Sequence, residues 1–181
     1  MNLPNKLTIL RMIMIPFFVV FLMLPIGEGA AHRYVALAIF VAASLTDTLD
    51  GYIARRDHLV TDFGKFMDPL ADKLLVCSAM ICLIGTGGLP FWIVIIIIAR
   101  EFIISGFRQI AADNGIVIAA SKWGKLKTIS QMVMIIVLLA DFPGQAVYAI
   151  EQILIYLALV LTVVSLLDYL YKNRQVLGSQ K

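Results

Sequence analysis

Apolar residues run along this chain in long stretches separated by short polar breaks, with neither the strict alternation of strands nor the narrow stripe of soluble helices. The pattern predicts helices near residues 5–25, 31–56, 62–85, 89–113, 122–140 and 146–172. Turn chemistry marks the breaks: Pro25 to Gly29, Gly85 to Pro90, Asp113-Asn114-Gly115, and Asp141 to Gly144. Each helix is near the 20 or so residues that a bilayer core requires. The expected architecture is an all-α integral membrane protein, a bundle of six transmembrane helices forming one domain over 1–181. The basic start and apolar stretch to Gly27 could imitate a secretory leader. The stretch is long for one, and it reads as a retained span.

Composition supports the membrane reading. Hydrophobic residues make up 61% and charged residues 15% of 181 positions, with a mean hydropathy of +0.92. A soluble fold of this size could not cover its surface with so few polar groups. The net charge of +3 is scattered, which excludes a nucleic-acid-binding tract. Cys77 and Cys82 fall in an apolar stretch and read as inert helix residues. Charge sidedness sets the orientation. Lys6, Arg11, Arg55, Arg56, Lys65, Lys122, Lys125, Lys127, Lys172, Arg174 and Lys181 fall on one side, against Arg33 on the other. Both termini are then cytoplasmic, which requires an even number of crossings.

The chemistry is concentrated between Thr46 and Lys73. Asp47 and Asp50 are three residues apart, about 60° from each other on a helix, and Gly51 and Ala54 continue their stripe. Gly64, Asp68 and Asp72 form a second stripe at four-residue intervals. If the two helices are antiparallel neighbours, four carboxylates converge near the cytoplasmic end. Such a set needs protonation or cations to neutralise it. Oxygen donors without Cys or His suit hard ions, Mg²⁺ or Mn²⁺, and four Asp could bridge two of them. The small residues leave room for a bulky ligand such as a nucleotide diphosphate. Acids that merely line a solvated helix end, paired with Arg55, Arg56, Lys65 and Lys73, are the plainer alternative, and the better one for Asp57 and Asp62. A cation carrier would also use buried acids, although more typically near mid-membrane on broken helices. A non-catalytic assembly subunit is a third possibility.

Residues 47–72 read D-x-x-D-G-x-x-A-R, eight residues, then G-x-x-x-D-x-x-x-D. This resembles the signature of the CDP-alcohol phosphatidyltransferases, a family of six-span membrane enzymes. The opening Asn2 to Thr8 with Arg11, the run Asp68 to Lys73, Arg100-Glu101, and Gly124 to Thr128 are similar to the bacterial members whose acceptor is sn-glycerol 3-phosphate. The resemblance implies transfer of a phosphatidyl group from CDP-diacylglycerol to that acceptor, giving phosphatidylglycerol phosphate and CMP. It also implies a divalent metal, a homodimer, and a bacterial-type inner membrane with the site facing the cytoplasm. By the same resemblance Asp47, Asp50 and Asp68 hold metal. Asp72 is the general base and touches metal as well. Asn5, Thr8, Gly51, Ala54, Arg55 and Gly64 shape the CDP-diacylglycerol pocket. Inositol phosphate, serine or another alcohol would be the alternative acceptors within the family.

A phosphorylated acceptor needs its own basic site. Arg108 and Lys125 are the first candidates for its phosphate, with Arg100 and Lys127 next. Alternatively, Arg100 pairs with a buried acid and the lysines only set orientation. Glu101 reads as a partner for a nearby arginine, and Asp168 as a helix-surface partner of Lys172. Trp92 and Trp123 read as interfacial anchors. His32 and His58 lie in loops without a partner pattern.

Overall fold

The computed structural model describes residues 2–24, 31–57, 59, 61–113, 115, 118 and 121–174, without the side chains of Arg55, Asp62, Lys65 and Asp113. Six helices follow one another: α1 Leu3–Met23, α2 Ala31–Arg56, α3 Asp62–Gly85, α4 Phe91–Asp113, α5 Lys122–Ala140 and α6 Gln145–Lys172. The first helix begins earlier than the apolar pattern predicts. Asn2 caps it, its side chain accepting from the Asn5 amide at 3.1 Å, and Pro4 fits the first turn, where its missing N–H costs nothing. Thr61 caps α3 by accepting from the Gly64 amide at 3.1 Å, and Ser121 caps α5 through the Gly124 amide at 3.0 Å. Gly87 and Gly115 turn the chain at positive φ, a conformation that glycine adopts without steric cost.

Helices α1, α2, α5 and α6 are long and apolar enough to cross a membrane. In α3 the apolar run is broken by Lys65, Asp68, Asp72 and Lys73, and in α4 by Arg100, Glu101 and Arg108. The same side chains that mark candidate chemistry thus weaken the hydropathy of those two helices.

The chain divides into two compact units. The first holds α1, α2, α3 and Leu138–Asp141. Here α1 packs against both α2 and α3, which meet each other less extensively. Its core includes Ile15, Phe18 and Leu22 of α1, Phe40 and Ala43 of α2, and Leu75, Ala79 and Met80 of α3. The Phe18 and Phe40 rings are tilted, 5.8 Å apart. Arg33 at the start of α2 pairs with Asp141. The second unit holds α4, most of α5, and α6. Ile104, Phe107, Ala111 and Tyr169 form a buried cluster there, with Phe107 edge-on to Tyr169 at 5.7 Å. Large apolar side chains such as Phe17, Ile95, Val160 and Leu167 face outwards, as lipid-facing residues do.

Candidate active site

The acidic stripes of α2 and α3 are brought together through α1. Thr8 and Arg11 are three residues apart, on one face of α1. The Thr8 hydroxyl donates to Asp68 Oδ1 at 2.5 Å and also contacts the Pro4 carbonyl at 3.1 Å. Arg11 is fully buried. Its Nη1 donates to Asp47 Oδ1 at 2.5 Å and its Nη2 to Asp50 Oδ2. Asp50 is buried, whereas the Asp47 side chain is 39% exposed. One carboxylate of the pair is therefore sealed in the bundle while the other stays open to a ligand.

Beside this cluster the Thr61 hydroxyl donates to Asn5 Oδ1 at 2.9 Å. Gly64 lies so close that an added Cβ would stand 3.3 Å from both Asn5 Oδ1 and Thr61 Oγ1, and 3.5 Å from Asp68 Oδ2. Glycine here lets α3 approach α1 closely beside the carboxylates. Gly51 and Ala54 continue the α2 stripe, both half-buried. The Ala54 carbonyl accepts from the Leu59 amide at 3.0 Å. The Arg55 side chain lies outside the described residues, as does His58. Asp72 follows Asp68 by one turn of α3 and is half-buried.

Of the sequence candidates, Asp47, Asp50 and Asp68 lie in one another's electrostatic field, with Thr8 and Asn5 alongside. The α2 and α3 stripes come near one another beside α1, which contacts both. In the sequence Arg11 stands among the basic residues of one side and in the N-terminal run that carries part of the family resemblance, with no partner indicated. The structure makes it the buried partner of two acids.

Among the described residues, no three carboxylate, imidazole or thiol groups already converge on one point as metal ligands do. Asp47 and Asp50 turn to Arg11, and Asp68 to Thr8. The donor chemistry nonetheless fits a hard divalent ion. Arg11 pairs with Asp47 and Asp50 while Asp68 takes only a neutral hydroxyl among the described residues, and every donor is oxygen.

The basic candidates belong to the second unit. Arg100 is buried and donates to Ser165 Oγ at 2.6 Å and to Glu101 Oε1 at 3.1 Å. Lys127, also buried, reaches the same Glu101 oxygen from α5. Glu101 therefore joins α4 to α5, and its partners are its chain neighbour and a lysine. Gln131 donates to Thr162 at 3.4 Å, and Thr162, Ser165 and Tyr169 are all buried on α6 at three- and four-residue spacing. Arg108 and Lys125 are exposed. The Arg108 guanidinium lies beside the Tyr169 hydroxyl and contacts the Ile118 carbonyl at 3.5 Å. Asp168 pairs with Lys172 at 2.6 Å, as their spacing predicts.

Taken together, these features define an all-helical protein of membrane-spanning character with an oxygen-only carboxylate cluster beside a close, glycine-dependent approach of two helices. The chain belongs to the CDP-alcohol phosphatidyltransferase family, whose model matches residues 1–164. Members of this family generally use a divalent metal. The chain is 42% identical to the CDP-diacylglycerol–glycerol-3-phosphate 3-phosphatidyltransferase of Bacillus subtilis, over 97% of both chains. It is 43% identical to the protein of that name from Haemophilus influenzae, over 93% of this chain and 91% of the relative. A probable phosphatidylglycerophosphate synthase of Mycobacterium tuberculosis is 39% identical over 98% of this chain and 84% of its own length.

Proposed function

We propose that this protein transfers the phosphatidyl group of CDP-diacylglycerol to sn-glycerol 3-phosphate, releasing CMP and forming phosphatidylglycerol phosphate. The observation that carries the reading is the meeting of Asp47, Asp50 and Asp68 around the buried face of α1, beside the close approach of α1 and α3 at Gly64. The names of the relatives support the donor and the acceptor.

In this reading Asp47, Asp50, Asp68 and Asp72 hold two divalent ions, Mg²⁺ or Mn²⁺. Such ions supply charge neutralisation on the diphosphate as its bond to the lipid-bearing phosphorus breaks. Asn5, Thr8, Gly51, Ala54, Arg55 and Gly64 shape the pocket for the CDP moiety. Asp72 takes the proton from the attacking glycerol hydroxyl as the new P–O bond forms and CMP departs in line. Arg108 and Lys125 bind the acceptor phosphate. Arg100 and Lys127, both paired with Glu101, are the next candidates for the same phosphate. The protein works as one domain with six spans and cytoplasmic termini in a bacterial cell membrane. The Arg33–Asp141 pair supports this topology, because it brings the start of the second span and the residue after the fifth to one end.

The decisive assay is CMP release by the purified protein in detergent, with CDP-diacylglycerol, Mg²⁺ and each candidate acceptor in turn. Release with glycerol 3-phosphate, abolished by chelation and restored by Mg²⁺, is the expected outcome. Release with serine, inositol phosphate or another alcohol instead would overturn the acceptor and keep the metal site. With Arg108→Ala or Lys125→Ala, the KM for the acceptor should rise while that for CDP-diacylglycerol holds. Equal rises in both would remove these residues from the acceptor pocket.

A further inference from the structure

Arg11 is a fully buried cation whose two Nη groups each hold a different carboxylate, Asp47 and Asp50, thirty-six and thirty-nine positions away. Among the described residues its buried Nε–H meets no hydrogen-bond partner, so the pairing rests on the Nη groups. A buried ion pair is a weak source of stability, since well-packed apolar residues of similar volume often do as well. Its position within the cluster is the informative feature. Thr8, one turn earlier on the same helix, holds Asp68.

We propose that Arg11 is the internal counter-ion of the carboxylate cluster, a positioning residue that keeps Asp47 and Asp50 together and competes with a divalent cation for them. This rests on the reading of Asp47 and Asp50 as metal ligands. Adjacent carboxylates repel, and a guanidinium between them lowers the cost of assembling them in a bundle of low dielectric. The same charge opposes a second cation on the same oxygens. Arg11 and the divalent ion are therefore negatively coupled, and the coupling must be equal in both directions. Asp50 is sealed and Asp47 partly open, so the exchange proceeds from the Asp47 side.

The test is Mn²⁺ binding to the full-length protein in detergent, read by loss of the free-ion EPR signal, with thermal unfolding measured alongside. Arg11→Gln should bind Mn²⁺ about tenfold more tightly than the parent, within the usual range of coupling. It should unfold at a lower temperature without Mn²⁺, and the gap should narrow when Mn²⁺ is added. Arg11→Lys, which keeps the charge, should bind Mn²⁺ like the parent. Equal affinity in the parent and Arg11→Gln would overturn the inference and leave the metal reading standing. Weaker binding in Arg11→Gln would also overturn it, making Arg11 a scaffold that orients the ligands. No Mn²⁺ binding by either protein would remove the metal reading and the inference together. Should Arg11→Gln fail to fold, purification with Mn²⁺ throughout decides the matter: recovery supports the exchange, and failure under both conditions overturns it.

Discussion

Thr8 on α1 donates its hydroxyl to Asp68 on α3 at 2.5 Å, across sixty positions of sequence. The bond fixes the carboxylate that the proposed mechanism uses as a metal ligand. Thr8→Val keeps the shape and removes the donor. A hydrogen bond to a charged group contributes about 1.5–3 kcal/mol, so CMP release should fall about 10- to 100-fold. Initial rates at varied CDP-diacylglycerol check this, and an unchanged rate would detach Thr8 from the site.

Asp72 and its three companions should separate kinetically. Asp72→Asn removes the proposed base and should lower kcat by about 10²- to 10⁴-fold while the protein still binds CDP-diacylglycerol. Asp50→Asn, by contrast, should impair both binding and turnover. Nucleotide-lipid binding measured beside turnover distinguishes the two. Identical losses would make Asp72 a ligand and nothing more.

Gly64→Ala should trade activity for helix stability. Alanine favours a helix by up to about 1 kcal/mol over glycine. The new Cβ would nevertheless stand 3.3 Å from Asn5 Oδ1 and Thr61 Oγ1, crowding both side chains. The expected result is an unchanged or slightly higher unfolding temperature with a raised KM for CDP-diacylglycerol. Unaltered kinetics would mean that Gly64 plays no part in donor binding.

Glu101 carries a different kind of risk. Glu101→Ala leaves Arg100 and Lys127 buried without their shared carboxylate. Losing one member of a buried network costs about 3–5 kcal/mol. A marked drop in unfolding temperature in detergent is expected, and Glu101→Ala combined with Lys127→Met should recover part of it. A single variant as stable as the parent would show that the network contributes little.

Much of this was legible in the sequence, for identifiable reasons. Helix limits could be read closely because polar breaks and capping residues punctuate long apolar runs; α1 starts earlier only because Asn2 and Pro4 make an efficient cap. The stripes of Asp47, Asp50, Asp68 and Asp72 are visible because three- and four-residue spacing is a local property of helices. Arg11 could not be assigned in the same way. A lone arginine in an apolar helix reads equally well as an orientation signal near the membrane face. Its partners are set by how α1 packs on α2 and α3, which no local period encodes. Glu101 lay between: an acid next to Arg100 suggested a buried pair, but Lys127 and Ser165 come from other helices.

The burial of Arg11 also bears on how the chain is made. Its partner carboxylates are synthesised only after the whole of α1 has emerged. An arginine entering hydrocarbon alone is disfavoured, by roughly 2.5–3.5 kcal/mol at the centre of a span on insertion scales. The apolar remainder of α1 offsets that cost, and α2 then supplies Asp47 and Asp50 to match the buried charge. The α1–α2 pair is thus the shortest stretch of the chain in which Arg11 is neutralised by its partners.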